Sequence, residues 1–351
     1  MENSDLLLLS LLSNNMKKLI KSSQKKRLKN INSIVYVTDA KNFFSAYIPS
    51  QPNGDILMRL EEFRETERPD FQLNVSGKII DFRLFTRERN KEFWLPETGF
   101  HPYPVACVHK SEKESILESV HNYFLDFFGH SVKYYWKADF FEDVHYYVPT
   151  QLRKVSYCMS TYVESDFTNM ENLENFFSSS PVLKSVQLFT SNSEISFNPE
   201  SKFYQAESIE TRQVTNTFPD ILSHFQGKHA FMICKKCEIP ALIGFVKRWK
   251  SGEAFGKLKY LKVTVIFHNF NGIIHNIIGV KYIDAKKQPP THTSPKIFDW
   301  DDVVGDTVPI ISHSYVVRES DNRVASILIQ ENKLSFGVWN KTEEEFLSMI
   351  N

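Results

Sequence analysis

Three stretches of this chain share one spacing of apolar residues, and that spacing limits the possible folds more than any other feature. QLRKVSY (Gln151 to Tyr157), VLKSVQL (Val182 to Leu188) and KLKYLKV (Lys257 to Val263) each follow an L-x-x-L-x-L order. The apolar places are Leu152/Val155/Tyr157, Leu183/Val186/Leu188 and Leu258/Leu261/Val263. A weaker copy, KHAFMI, puts Phe231 and Ile233 in the last two places. The copies start at residues 152, 183, 228 and 258, a period near thirty if one unit carries an insertion of about half a repeat. Helix-patterned stretches NMENLENFFSSSP, FPDILSHFQ and ALIGFVKRWKSG precede the later copies. A strand-plus-helix unit cannot bury its apolar face alone, so such units stack, with strands lining one face and helices the other. An ordinary α/β sheet with coincidental spacing is the alternative, because short apolar runs carry limited information about order.

The remaining chain reads differently. From residue 30 to 110 the periodicity moves toward two, with candidate strands Ile34 to Val37, Phe43 to Ile48, Phe71 to Val75, Ile79 to Phe85 and Tyr103 to His109. SEKESILESVHNYFLDFFGH then predicts a helix, with Ser111 at its cap, Glu114 in capping-box register and a stop at Gly129. KKQPPTHTSPK (Lys286 to Lys296) reads as a loop, since proline donates no ladder hydrogen bond. A meander follows over Ser314 to Arg318, Val324 to Ile329 and Leu334 to Trp339, and Thr342 caps a closing helix TEEEFLSMI. Its expected place is the open end of the stack. The expected class is therefore α/β (α+β overall): an irregular leucine-rich-repeat-like βα solenoid over 111–351, preceded by a β-rich unit over 30–110 and a short helical pair over 1–29.

That helical pair opens the chain as MENSDLLLLSLLSNNMKKLIKSSQKKRL. Leu8, Leu9, Leu12, Met16, Leu19 and Ile20 recur at three- and four-residue steps, Ser4 or Asp5 can cap the first helix, and Ser13-Asn14-Asn15 marks a break. An export signal places basic residues before its apolar segment; here Glu2 and Asp5 precede the leucines and the lysines follow. The run is also too short and interrupted to span a bilayer, so neither export nor anchoring is expected. Lys plus Arg and Asp plus Glu both count 42, which leaves no global positive field for nucleic acid or an acidic membrane, and neither partner is expected. Four cysteines and no signal peptide point to reduced thiols in an intracellular compartment, cytoplasmic or nuclear.

No catalytic constellation emerges, and no enzyme, cofactor or metal is expected. Cys234 and Cys237 form one C-x-x-C, but His224 and His229 precede it and supply no second knuckle for zinc. Asp299, Asp301 and Asp302 flank Trp300 without a phosphate cradle or a fixed second carboxylate set, so a solvated loop is the reading there. His121 lies beside the apolar stripe of its helix, as a core-edge histidine does.

DLLLLSLLSNNMKKLIKSSQ resembles the second half of an F-box: an acidic residue, a leucine-rich helix, a polar break and a basic helix ending in Ser. VHNYFLDFFG, FPDILSHFQGKHAFMICKKCEI, LIGFVKRWKSGEAFGKLKYLKV and SYVVRESDNRVASILI resemble, in that order, the F-box-associated domain, type 2, of the large nematode F-box family. The signature positions are Phe245, Trp249, Gly252, Leu258 and Leu261. The resemblance implies a substrate-recognition subunit of a Skp-cullin-F-box ubiquitin ligase. It docks on a Skp-type adaptor, and so on the cullin core, through Leu6, Leu9, Leu12, Met16 and Leu19, and it holds an unidentified protein target on its C-terminal domain. The Leu-Pro pair and first helix of such a box are not in this sequence, so a stand-alone binding module that no longer docks on the adaptor is the alternative. If the solenoid reading holds, strand parity turns Lys154, Ser156, Ser185, Gln187, Ala230, Met232, Tyr260 and Lys262 outward, where they are the candidate target contacts.

Overall fold

The computed structural model describes residues 1–38, 44–49, 55–63, 68–85, 102–140, 152–163, 170–190, 197–213, 218–235, 239–266, 278–298 and 306–350. The protein is a mixed α/β chain with eight α-helices among these residues. It divides into two compact units. The first runs from Met1 to Asp139 and takes in residues as far as Tyr157, and the second runs from Cys158 onward. The sequence reading sets its boundaries after residues 29 and 110; the first compact unit spans both positions.

In the first unit the chain begins with α1 (Asn3–Leu12), α2 (Asn14–Ser23) and α3 (Lys25–Lys29). Glu2 and Asp5 form a capping box on α1, in place of the caps expected at Ser4 or Asp5. Ser13 ends α1 and caps α2, its Oγ accepting from the Met16 amide at 3.1 Å, as the polar break predicts. The strands are β1 (Ser33–Thr38), β2 (Phe44–Ile48), β3 (Asp55–Glu62), β4 (Phe71–Val75), β5 (Lys78–Phe85), β6 (Tyr103–Val108) and β7 (Lys133–Phe140). They lie in the order β7-β1-β2-β3-β6-β5-β4. β1 pairs in parallel with β7 and β3 with β6, while the other neighbours are antiparallel. β3 and β7 are absent from the sequence reading, since DILMRLEE alternates poorly and ends in charge.

α4 (Lys113–Phe128) follows a 3-10 turn at Lys110–Glu112 and stops at Gly129, whose φ of +97° and amide bond to the Leu125 carbonyl end the helix. Ser111 falls inside the 3-10 turn and does not cap α4. α4 buries Ile116, Leu117, Val120, Phe124 and Phe127. The core it helps to close is aromatic: Tyr36 lies 5.2 Å from Phe44 and 6.1 Å from Trp136 by ring centroid. The Tyr36 hydroxyl is 2.6 Å from His121 Nδ1, and His121 Nε2 is 2.7 Å from the Arg153 carbonyl, so both ring nitrogens of this buried histidine are satisfied.

In the second unit parallel strands follow one another in chain order. These are β8 (Val155–Val163, its first residues in the first unit), β9 (Ser185–Thr190), β10 (Ser208–Gln213), β11 (His229–Cys234) and β12 (Tyr260–Val265). Between them come α5 (Met170–Ser179), a 3-10 turn at Lys202–Gln205, α6 (Phe218–His224) and α7 (Ile239–Ser251). The supposed half-repeat insertion is a strand unit of its own, β10, which the pattern search misses because Ala206, Ile209 and Thr211 occupy its leucine places. The registered residues Met159, Val186, Ile209, Ala230 and Leu261 form one row, each at most 1% exposed. Leu188, Thr211, Met232 and Val263 form the next buried row. The first copy in the sequence reading is therefore out of step, because Met159, rather than Val155, aligns with Val186.

Beyond β12 the pairing turns antiparallel through β18 (Lys333–Thr342), β17 (Arg323–Gln330), β16 (Ser314–Val317) and β13 (Lys281–Tyr282), as the meander pattern predicts for its three longer strands. Phe336 of β18 extends the first buried row and packs edge-on against Phe245 and Trp249 of α7 at 5.2 and 5.1 Å. α8 (Glu343–Leu347) carries the expected Thr342 cap and seats Phe346 on Tyr315 and Trp339, so it covers the meander. The proline-bounded loop contributes one short strand, β14 (Thr291–His292) between Pro290 and Pro295, which pairs antiparallel with β15 (Ile310–Ile311) further along the chain.

Candidate binding surfaces

Along a strand alternate side chains face opposite ways, so the two buried rows of β8 to β12 fix what the other face presents. Ser160, Gln187, Glu210, Phe231 and Lys262 register side by side across it, all half-buried. Gln187 Nε2 donates to Glu210 Oε2 at 3.1 Å, and the Ser160 hydroxyl lies 3.5 Å from Gln187 Oε1. The next outer row holds Phe189, Arg212, Ile233 and Thr264, with the Arg212 guanidinium 5.7 Å from the Phe189 ring centroid. Burial pushes the Lys262 ammonium pKa down, and the Lys333 and Lys296 charges reinforce that shift against the opposing pull of Glu210. The surface thus offers amide and carboxylate acceptors, a cation held at a desolvation cost and two partly exposed phenylalanines. Protein interfaces combine polar and aromatic groups in this way.

One end of the same face is closed. Ser185, Ser208, His229 and Tyr260 start the strands there and are buried. The segment carrying β14 and β15 meets His229 and Tyr260. His229 Nε2 lies 2.9 Å from the Ser294 hydroxyl, and the Tyr260 hydroxyl donates to the Val308 carbonyl at 3.1 Å. His292 stacks on Tyr260, meets Trp339 edge-on at 4.9 Å and sits 3.1 Å from the Val338 carbonyl through Nε2. Its ring crosses Gly337 so closely that a Cβ there would lie 2.6 Å from Nδ1, which only glycine avoids. Burial, aided by the Lys259 and Lys228 charges, pushes the His229 pKa down to about 4, and burial lowers that of His292. The Nδ1 atoms of both rings are buried without a hydrogen-bond partner among the described residues.

The candidate target contacts therefore divide. Gln187 and Lys262 lie on the open outer face, and Ser156 is half-buried near the start of β8. Lys154 is exposed in the turn before β8, with φ +60°, and is not a strand residue. Ser185 and Tyr260 have outward parity but are covered. Ala230 and Met232 are corrected: they belong to the buried rows, at 1% and 2% exposure, because β11 runs one residue out of step with the pattern read from KHAFMI. Phe231 and Ile233 take the outer places. Ser160, Glu210 and Phe231 escape the sequence reading; the alternation in SIETRQ signals Glu210, whereas the apolar Phe231 carries no outward signal.

The candidate adaptor contacts divide too. Leu6 is 1% exposed, built into the first unit with Leu7 and Leu11, and α1 lies against β3, β4 and β6. The buried Ser10 hydroxyl anchors α1 to Tyr123 of α4 at 2.8 Å. Leu9 and Met16 are half-buried, while Leu12 and Leu19 stand 58% and 60% exposed. The α1 leucines surround the helix, and sequence spacing alone did not separate the inward ones from the outward ones.

Among the described residues no three His, Cys, Asp or Glu side chains converge as metal ligands, and no helix is long and apolar enough to cross a membrane. Cys234 is buried, with Sγ 3.7 Å from the Thr264 carbonyl. Cys237 and the Asp299, Asp301 and Asp302 group lie outside the described residues. Compared with protein-family models, curated proteins and solved structures, the chain matches none.

Proposed function

We propose that this chain is a non-catalytic protein-binding subunit, a substrate-recognition adaptor of a Skp-cullin-F-box ubiquitin ligase working inside the cell. In this reading β8 to β12 and their helices are an irregular leucine-rich-repeat-like solenoid. A protein target lies on the outer strand face around Gln187, Glu210, Phe231 and Lys262. The observation that carries the reading is the run of parallel strands in chain order, whose apolar rows pack inward while the opposite face keeps half-buried polar and aromatic side chains. Stacked strand-and-helix units use such faces for binding. On the first unit Leu12 and Leu19 remain exposed for a Skp-type adaptor, with Leu9 and Met16 beside them.

Co-expression with a Skp-type adaptor tests the docking half. The two chains should co-elute in size exclusion, and Leu12→Asp with Leu19→Asp should abolish co-elution while leaving the thermal unfolding of this chain unchanged. Cross-linking in cells tests the other half: a triple alanine variant at Gln187, Phe231 and Lys262 should lose the captured target. The burial of Leu6, Leu7 and Leu11 within their own unit favours a second reading, a stand-alone binding module. Target capture without adaptor co-elution would select it, and unchanged capture by the triple variant would sink both.

A further inference from the structure

A recess lies in the first unit, between α2 and α3 on one side and the end of α4 on the other. It encloses about 920 Å³, within the range of ligand-binding clefts. Lys17, Lys18, Lys21, Lys25 and Lys29 line it, and among the described residues Asp126 is its one acidic lining residue. Leu28, Phe127 and Phe128 form an apolar floor, each below 9% exposure.

The lysines form a ridge. Gln24, at φ −102° and ψ 18°, breaks the helix between α2 and α3, donating its amide to the Ile20 carbonyl at 2.8 Å and accepting from the Leu28 amide at 2.9 Å. Lys17 and Lys21 on α2, and Lys25 and Lys29 on α3, are each four residues apart, about 6 Å along their own helix axis. Asp126 engages only the first two: its carboxylate pairs with Lys17 and Lys21, and its carbonyl accepts from Lys21 at 2.6 Å. Lys17 is further held over the Tyr123 ring, 4.1 Å from its centroid. Lys18, Lys25 and Lys29 are exposed and have no hydrogen-bond or ion-pair partner among the described residues.

We propose that this recess docks an extended acidic peptide segment of a partner protein. In an extended chain side chains on one side repeat at about 6.6 Å, close to the step between the two lysines of each helix. A compact polyphosphate would engage two or three of the five lysines at most, whereas an extended chain reaches along both helices. Single strands of nucleic acid need accessible aromatic faces for stacking, and Phe127 and Phe128 are 2% and 7% exposed. A flat bilayer meets only the rim of such a recess.

Fluorescence anisotropy on the full chain tests the proposal, with a labelled peptide of about eight residues alternating glutamate and alanine, a length that covers the ridge. Binding should weaken as ionic strength rises. Lys18→Glu with Lys25→Glu and Lys29→Glu should weaken it roughly tenfold or more, whereas the corresponding Arg variant should keep it within about threefold, because charge rather than ammonium geometry carries the contact. If the Glu variant fails to fold, Lys25→Glu alone and competition by unlabelled peptide carry the comparison. Absence of peptide binding overturns the proposal, as does equal binding by a folded Glu variant. Displacement of the peptide by tripolyphosphate or oligothymidylate at lower concentration than unlabelled peptide overturns it in favour of a phosphate ligand. Capture by phosphatidylserine vesicles without peptide binding overturns it in favour of a membrane.

Discussion

At the residue scale His229 makes the fold sensitive to pH. It is buried at the start of β11, and Ser294, His292, Lys228, Lys259 and Glu207 bear on it. Burial first, then the two lysines and His292, hold it neutral in the fold, with Glu207 pulling the other way. Above its ordinary value near 6.5 both folded and unfolded chains carry it neutral, so stability is flat. Below that the unfolded chain takes a proton the fold refuses, and stability falls until the folded group titrates at about 4. The loss is roughly 3 kcal/mol at most from this group. Urea unfolding at several pH values from 7.5 to 4.5 should show the decline, and His229→Gln should flatten part of it. An identical decline in the variant would assign the acid sensitivity elsewhere. The sequence placed His229 near the C-x-x-C and rejected it as a zinc ligand, but spacing could not bring Ser294 and His292 against it. Contacts between residues so far apart in the chain leave no periodic trace.

At the element scale the question is what the N-terminal leucines are for, and the structure separates two kinds. Leu7 is fully buried and its helix lies on β3, β4 and β6, so Leu7→Ala should cost about 2 to 5 kcal/mol. Leu19 is 60% exposed, so Leu19→Asp should change stability by less than about 0.5 kcal/mol. Denaturant melts of the two variants measure both, and a large loss from Leu19→Asp would place that side chain in an internal contact. The break at Ser13 and the Thr342 cap were legible because capping chemistry is local; α4 was legible from its apolar stripe and its Gly129 stop, while its Ser111 cap did not form. The sequence reading misplaced the register of β8 and β11 and missed β10. An apolar place filled by Ala230 or Thr211 in one unit and by leucine in another carries little signal, and a one-residue slip in a strand exchanges its two faces. Hence Ala230 and Met232 changed sides while Gln187 and Lys262, in strands with strong leucine places, did not.

For the whole molecule, the division near Tyr157 means that two cores stabilise the chain, one aromatic around Tyr36, Phe44 and Trp136, the other built on the rows through Val186 and Leu261. Sequence reading located the change from β-rich to repeat-patterned chain but set it at residue 110, before α4. The helix resembles the helices between the parallel strands in pattern, yet its buried face closes the Tyr36 core through Phe124, at 6.3 Å, and through His121. Units with separate cores open separately unless their interface couples them strongly. Hydrogen exchange read by mass spectrometry in sub-denaturing urea resolves this. Leu7→Ala should accelerate exchange in β1 to β6 and α4 while leaving β9 to β12 at the parent rate. Val263→Ala, in the second unit's buried row, should do the reverse. Equal acceleration of both sets by either variant would show one cooperative body, in which damage to the N-terminal helices reaches the strand face and the two proposed binding surfaces cannot be lost independently.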